Sequence, residues 1–273
     1  MNRRAFLLSL AAGAVAVVAL HERGTADAKK GKPHQTAAAK SPSPSVTTRP
    51  PRPPLERIQS GTPHLTQAMP GRLLWGLPAV GNTVALTIDD GVSSAVVAAY
   101  LDFIQRTGVR VTFFPNGVYP SWTQHAAILR PLVDSGQVQL GNHTWSHPDL
   151  VTLSDSAVAD QLSRNEKFLW NTFGVSARPF FRPPYGSRDA RIDRLATDQG
   201  YWVSTMWNGT FGDSDLLTPA QVLANAKQWL IAHHIVIGHA NYPTVTHVFN
   251  ELADLIRSRR LVTVTLNDVF NTT

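Results

Sequence analysis

The chain alternates between two hydrophobic periods. Val84-Ala85-Leu86-Thr87-Ile88 is a short apolar run bounded by Gly81-Asn82 and Asp89-Asp90-Gly91, which predicts a buried strand. The next residues, 94–106, space their apolar positions as an amphipathic helix does. The alternation continues, with further strands expected at 109–114, 138–140, 180–181, 201–206, 235–237 and 261–266. Helices are expected at 121–134, 156–171, 189–199, 219–232 and 245–258. About seven β/α steps predict an α/β protein whose parallel sheet is covered by helices. A barrel is favoured over an open doubly wound sheet, although periodicity alone leaves that choice open. No repeat of solenoid period is present.

The first sixty residues follow neither period. Met1-Asn2-Arg3-Arg4 is a basic start, the stretch Ala5 to Leu20 is uncharged, and Ala26-Asp27-Ala28 offers a small-residue cleavage site. Residues 1–28 are therefore expected to be a signal peptide, of twin-arginine type if Arg3-Arg4 are read as its pair, with an uncleaved anchor as the alternative. Residues 29–62 are rich in Lys, Ala, Ser, Thr and Pro and are expected to be a disordered, basic linker. The folded domain is then 63–273. Export to the cell envelope or beyond follows, with no transmembrane domain in the mature chain.

Composition narrows the chemistry. Of 273 residues, 43% are hydrophobic and 16% charged, which excludes a wholly disordered chain. Cysteine is absent, excluding disulfides, thiolate zinc sites and a cysteine nucleophile. The net charge of +6 suggests a nucleic-acid binder until it is located. Lys29, Lys30, Lys32, Lys40, Arg49, Arg52 and Arg57 face only Glu56 in the linker, so the folded part is close to neutral and no nucleic acid is expected. The linker could make loose contact with anionic envelope polymers, or be a plain spacer. No nucleophile elbow, H-E-x-x-H helix or phosphate loop occurs.

Functional groups of parallel α/β proteins gather at the carboxyl ends of the strands. The polar residues there are Asp89-Asp90, Asn116, His143, Arg182, Trp207-Asn208 and His239. Asp89-Asp90 is an ordinary turn or a metal ligand beside a proton acceptor. His143 and His147 stand four apart and would share one face of a helical turn; with Asp90 they make a two-histidine, one-carboxylate set open to water and substrate. His239 is a core histidine or a proton donor. Arg182, in Arg182-Pro183-Pro184-Tyr185-Gly186, caps a helix or holds a carboxylate base. His233-His234 read as surface residues.

Thr87-Ile88-Asp89-Asp90-Gly91, His143 to His147, Arg182 to Gly186 and Ile235 to His239 stand in an order and spacing that resembles the polysaccharide deacetylases, the NodB-homology family or carbohydrate esterase family four, over about residues 80–270. The resemblance implies a distorted (β/α) barrel that hydrolyses N-acetyl groups of amino-sugar glycans with a divalent metal, zinc first, with cobalt, nickel or manganese as alternatives. It implies Asp89 as base, Asp90, His143 and His147 as metal ligands, His239 as acid, Arg182 as the residue that positions the base, and the Tyr185 backbone N–H as an oxyanion donor. Peptidoglycan or a chito-oligosaccharide is the implied substrate, and a monomer is expected.

Two departures stand out. Val92 occupies a position where the family usually has proline, and the fourth family motif, normally an Asp and a Trp, reads Trp207 to Asp215 here. Asp213 or Asp215 would have to supply the acid that tunes His239. A non-catalytic glycan binder and a hydrolase of a non-sugar amide remain the alternatives.

Overall fold

The structure, a computed structural model, describes residues 57–58 and 73–270. The expected export segment 1–28 and all of 29–62 except Arg57-Ile58 lie outside the described residues. Ile58, placed in the linker by its polar surroundings, is buried in the core, and its N–H donates to Thr107 O at 2.7 Å. A single isoleucine among charged residues has no periodicity by which its burial could be read.

In chain order the strands are β1 (Leu73–Leu74), β2 (Thr83–Asp90), β3 (Val111–Pro115), β4 (Val138–Leu140), β5 (Phe180–Phe181), β6 (Val203–Thr205), β7 (Gly209–Thr210), β8 (Ile235–His239) and β9 (Val262–Thr263). The helices are α1 (Ser94–Thr107), α2 (Ser121–Gln124), α3 (Ala126–Asp134), α4 (Asp155–Phe173), α5 (Ala190–Asp198), α6 (Pro219–Trp229), α7 (Phe249–Ser258) and α8 (Leu266–Val269). Two parallel ribbons form, β4-β3-β2-β8-β7 and β5-β6-β1, with β9 also paired to β2. A bridge from Asn142 to Phe181 joins β4 to β5, and one from Gly76 to His234 joins the segment after β1 to the start of β8. The result is the distorted (β/α) barrel expected.

β2 is the central strand, flanked by β3 and β8 and buried at all 8 positions, which is why its sequence is almost continuously apolar. Side chains alternate across it. Val84, Leu86 and Ile88 join the large core under the helices, while Ala85 joins the smaller cluster inside the barrel with Phe114, Phe180, Val203 and Ile235. Thr87 and Asp89 share Ala85's parity and so point inward. Each large apolar side chain buried this way contributes about 1.5–3 kcal/mol.

Local signals set the helix ends. The Ser93 hydroxyl accepts from Val96 N to start α1, and Gly108, at φ 76°, ends it. Thr218 and Gln221 form a reciprocal capping box around Pro219 at the start of α6. Some expectations shift. The helix expected over 121–134 breaks at His125, whose ring is held by Ser94 O at 3.0 Å and Oγ at 2.9 Å. The helix expected from 245 is a 3-10 turn until Phe249, following Pro243. The strand expected over 261–266 stops at Thr263, because Thr265 caps α8 with Asp268. β1 and β7, two residues each, fall below the length at which periodicity shows. No helix among the described residues is long and apolar enough to cross a membrane.

Candidate metal and catalytic centre

The inward parity of β2 delivers Asp89 to the barrel mouth, 1% exposed. Arg182, which follows β5, is fully buried beside it. Its guanidinium donates to Asp89 Oδ1 at 2.6 Å, Thr87 Oγ1 at 2.9 Å, Thr205 O at 3.0 Å and Met206 O at 3.2 Å, and lies 4.4 Å from the Phe114 ring centre. Burial pulls its pKa down and Asp89 restores part of the loss. With Oδ1 held, Asp89 Oδ2 remains, 3.6 Å from His143 Nε2.

Asp90 continues the strand with φ 72°, a left-handed conformation that costs an Asp less than most residues. Gly91 follows at φ 106°, and a Cβ there would stand 2.3 Å from Trp122 Nε1. The Trp122 indole and Asn116 N–H both donate to Asp90 O, at 2.8 and 3.1 Å. The turn is thus locked from β3 and α2.

His143 and His147 meet at Asp90, though not on a helical turn as their spacing suggested. Residues 141–149 form a loop, with Thr144 at φ 72° and His147 at φ 61°. The loop is shaped by buried amides. Asn116 Nδ2 donates to His143 O at 2.5 Å, and Asn142 Oδ1 accepts from Thr144 N at 2.9 Å. Asn142 Nδ2 donates to Tyr201 Oη, whose hydroxyl donates in turn to Glu166. His143 Nδ1 donates to Arg182 O at 2.7 Å, which fixes the tautomer and leaves the Nε2 lone pair facing Asp90.

Both imidazole Nε2 atoms lie 3.4 Å from Asp90 Oδ1, and one ligand atom from each residue lies within 4.8 Å of the others. Asp90 Oδ1 is buried with no hydrogen-bond partner. Atoms bound tetrahedrally at about 2.0–2.1 Å from a zinc ion are separated by about 3.4 Å. Charge points the same way: two buried carboxylates face one buried guanidinium, leaving an unneutralised negative charge where solvation is poor. The donor set therefore fits a divalent cation. Burial raises the Asp90 pKa, but the neighbouring His143, then His147 and His239, bring it far below the carboxylate range. His147 is pushed down to about 4 by burial and by His143. Burial also lowers His143, and there Asp89 and Asp90 outweigh it and hold the ring above its ordinary value.

His239 ends β8 opposite Asp89 in the β2 register. Asp213, 1% exposed, holds it twice, with Oδ1 3.1 Å from Nδ1 and Oδ2 accepting its backbone N–H at 3.1 Å. Burial lowers the ring's pKa, and Asp213 with the two strand aspartates more than offsets this, so the net shift is upward. Of the two acids left open by the sequence, Asp213 reaches the histidine and Asp215 is exposed.

Tyr185 is 71% exposed at φ 60°, its ring 4.6 Å from that of His147. Trp207 is half-buried against Arg182, with ring centre and guanidinium 5.6 Å apart. Asn208 does not join the centre. Its Oδ1 accepts from Ile235 N at 2.9 Å, at the opposite end of β8 from His239. Sequence reasoning missed Asn142, Tyr201, Asn165, whose Nδ2 donates to Asn142 Oδ1 at 3.0 Å, and Asn241, whose Nδ2 donates to Asp90 Oδ2 at 2.7 Å. None follows a strand in the strict phase used to select candidates, and buried amides leave no periodic signal.

Residues 78–204 match the family model described as polysaccharide deacetylase. A chitin deacetylase of Pestalotiopsis sp is 38% identical over 125 residues, 45% of this chain and 41% of that relative. The peptidoglycan-N-acetylglucosamine deacetylase PgdA of Listeria monocytogenes is 27% identical over 188 residues, 68% of this chain and 38% of that protein. The chain thus spans less than half the length of either relative. Among solved structures, a peptidoglycan N-acetylglucosamine deacetylase superposes with a TM-score of 0.67 at 23% identity, covering 74% of this chain and 94% of that one.

Proposed function

We propose, starting from a chain that over residues 78–204 belongs to the polysaccharide deacetylase family, that this protein is an exported, metal-dependent hydrolase of N-acetyl groups on amino-sugar glycans. Peptidoglycan and chito-oligosaccharides are the substrate classes, a reading supported by similarity to relatives named for peptidoglycan and for chitin. The observation that carries the reading is the orphaned, buried Asp90 Oδ1 facing two imidazoles, beside a second carboxylate held by an arginine.

Asp90, His143 and His147 would hold the ion. Such an ion, zinc by its donor set, supplies Lewis acidity and a fixed positive charge for the acetyl oxygen and the attacking water.

The chain's own residues do the rest. Arg182 fixes Asp89 Oδ1, so Oδ2 is presented to the water and takes its proton as it attacks the acetyl carbon. The backbone N–H of Tyr185, on its left-handed turn, donates to the acetyl oxygen as negative charge develops there. His239, whose Nδ1 is engaged by Asp213, gives the proton on Nε2 to the departing amine. Without that proton the amine would be a poor leaving group. Acetate and a free amino sugar result. Export is supported by Arg3-Arg4 and the apolar stretch to Leu20, and the basic linker would then lie against anionic envelope polymers.

The test is acetate release from N-acetylglucosamine oligomers and from peptidoglycan, with zinc, with chelator, and with Asp89→Asn. Release that needs both the metal and Asp89 is the expected result. Zinc bound but no acetate from either glycan would remove the proposed substrates, and no bound metal would remove the mechanism.

A further inference from the structure

Asn241 lies two residues beyond the end of β8. The Ala240 N–H donates to Asp89 O at 2.9 Å, and the Ser93 N–H donates to Ala240 O at 3.0 Å, so the chain after His239 stays fastened to the turn that follows β2. This fastening brings the Asn241 side chain to Asp90. Its Nδ2 donates to Asp90 Oδ2 at 2.7 Å, and its Oδ1 accepts from Val92 N at 3.4 Å. The amide orientation is settled by its neighbours: an ionised carboxylate can only accept and a backbone N–H can only donate.

The two oxygens of Asp90 thus have different environments. Oδ2 is engaged by an amide, whereas Oδ1 is buried without a partner, 3.4 Å from both imidazoles. A carboxylate free to rotate about its terminal torsion would exchange these positions, because that torsion is broad and roughly two-fold. A donor on one oxygen removes the exchange. An amide does this without charge, whereas a carboxylate at this position would add negative charge next to Asp89 and Asp90.

We propose that Asn241 is a positioning residue, which clamps Oδ2 of Asp90 so that Oδ1 alone is aimed at the cation held with His143 and His147. The inference rests on the metal role proposed for Asp90. It adds that the selection of one carboxylate oxygen is made by the segment after β8, on a different β/α unit from any of the three ligands. Partners of this kind around metal ligands typically change metal affinity by about 10- to 100-fold.

The experiment uses the full chain with Asn241→Ala and Asn241→Leu, the second of which keeps the side-chain volume without the donor. Zinc affinity is read by competition against a chromophoric chelator, stability by thermal unfolding in excess chelator, and kcat and KM at saturating zinc. Both variants should bind zinc about 10- to 100-fold more weakly, with the chelated proteins unfolding close to wild type. At saturating zinc kcat should fall and KM stay unchanged. Wild-type zinc affinity in both variants overturns the role of Asn241 and leaves the proposed metal site standing. Failure of the unsubstituted protein to bind any divalent ion would overturn the metal site itself.

Discussion

Asp213 grips His239 with both carboxylate oxygens, Oδ1 at the ring Nδ1 and Oδ2 at the backbone N–H, each at 3.1 Å. The double contact ties the loop after β7 to the end of β8 and holds the proton of the imidazole that faces the metal site. It also sets the direction of the pH response. The folded-state pKa of His239 is raised, so its acid form persists above the ordinary histidine value, and activity needing that form falls only as pH rises through the raised value.

Asp213→Asn should therefore shift the alkaline limb of kcat/KM to lower pH and reduce activity near neutrality by about 10- to 100-fold, part of the about 10²–10⁴ that a positioned acid contributes. Asp215→Asn, on an exposed residue, should leave the profile in place. Full pH–rate profiles of both variants decide the matter, and a shift with Asp215 in place of Asp213 would refute the pairing.

The Arg182–Asp89 pair is buried on both sides. Arg182→Met should destabilise the fold by about 3–5 kcal/mol, since it strands a buried carboxylate. Arg182→Lys should rescue little, because a point charge cannot reach Asp89, Thr87 and the two carbonyls together. Denaturant unfolding of the two variants would measure this.

Cation binding and stability should be linked. Zinc at about 100 times its dissociation constant should add about 2.7 kcal/mol, about 5–10 °C in unfolding temperature for a domain of this size. Asp90→Asn should abolish that increment and also leave the chelated protein less stable than wild type near neutrality, because the lowered Asp90 pKa means that the fold favours the ionised carboxylate. Calorimetry with and without chelator tests both halves, and a zinc shift that survives Asp90→Asn would place the ion elsewhere.

The amide network behind the histidine loop gives a longer-range test. Tyr201→Phe removes the hydroxyl that joins Asn142 to Glu166 and should cost about 1–3 kcal/mol, by leaving buried groups unpaired. If the network also holds Thr144 and His147 in their left-handed conformations, kcat should drop as well. A stability loss with unchanged kcat would confine the network to folding.

Much was legible in the sequence because it depends on local or repetitive features. The β/α alternation and the strand-end phase of Asp89, Asp90, His143, Arg182 and His239 follow from periods of two and 3.6 and from residues next to one another. What the sequence left open depends on distance along the chain. Nothing local distinguishes Asp213 from Asp215; Asp213 is separated from it by meeting His239 at the end of β8, 26 residues on, while Asp215 is exposed. The histidine spacing suggested a helix, but the loop's own Asn142 and buried amides from two other segments, Asn116 and Asn165, hold a loop instead. Asn241 lies 151 residues from Asp90, and only the pairing of β8 with β2 makes them neighbours. Chemistry-bearing residue types are written in the sequence, whereas the atom each one presents is settled by hydrogen bonds that form only when the barrel closes.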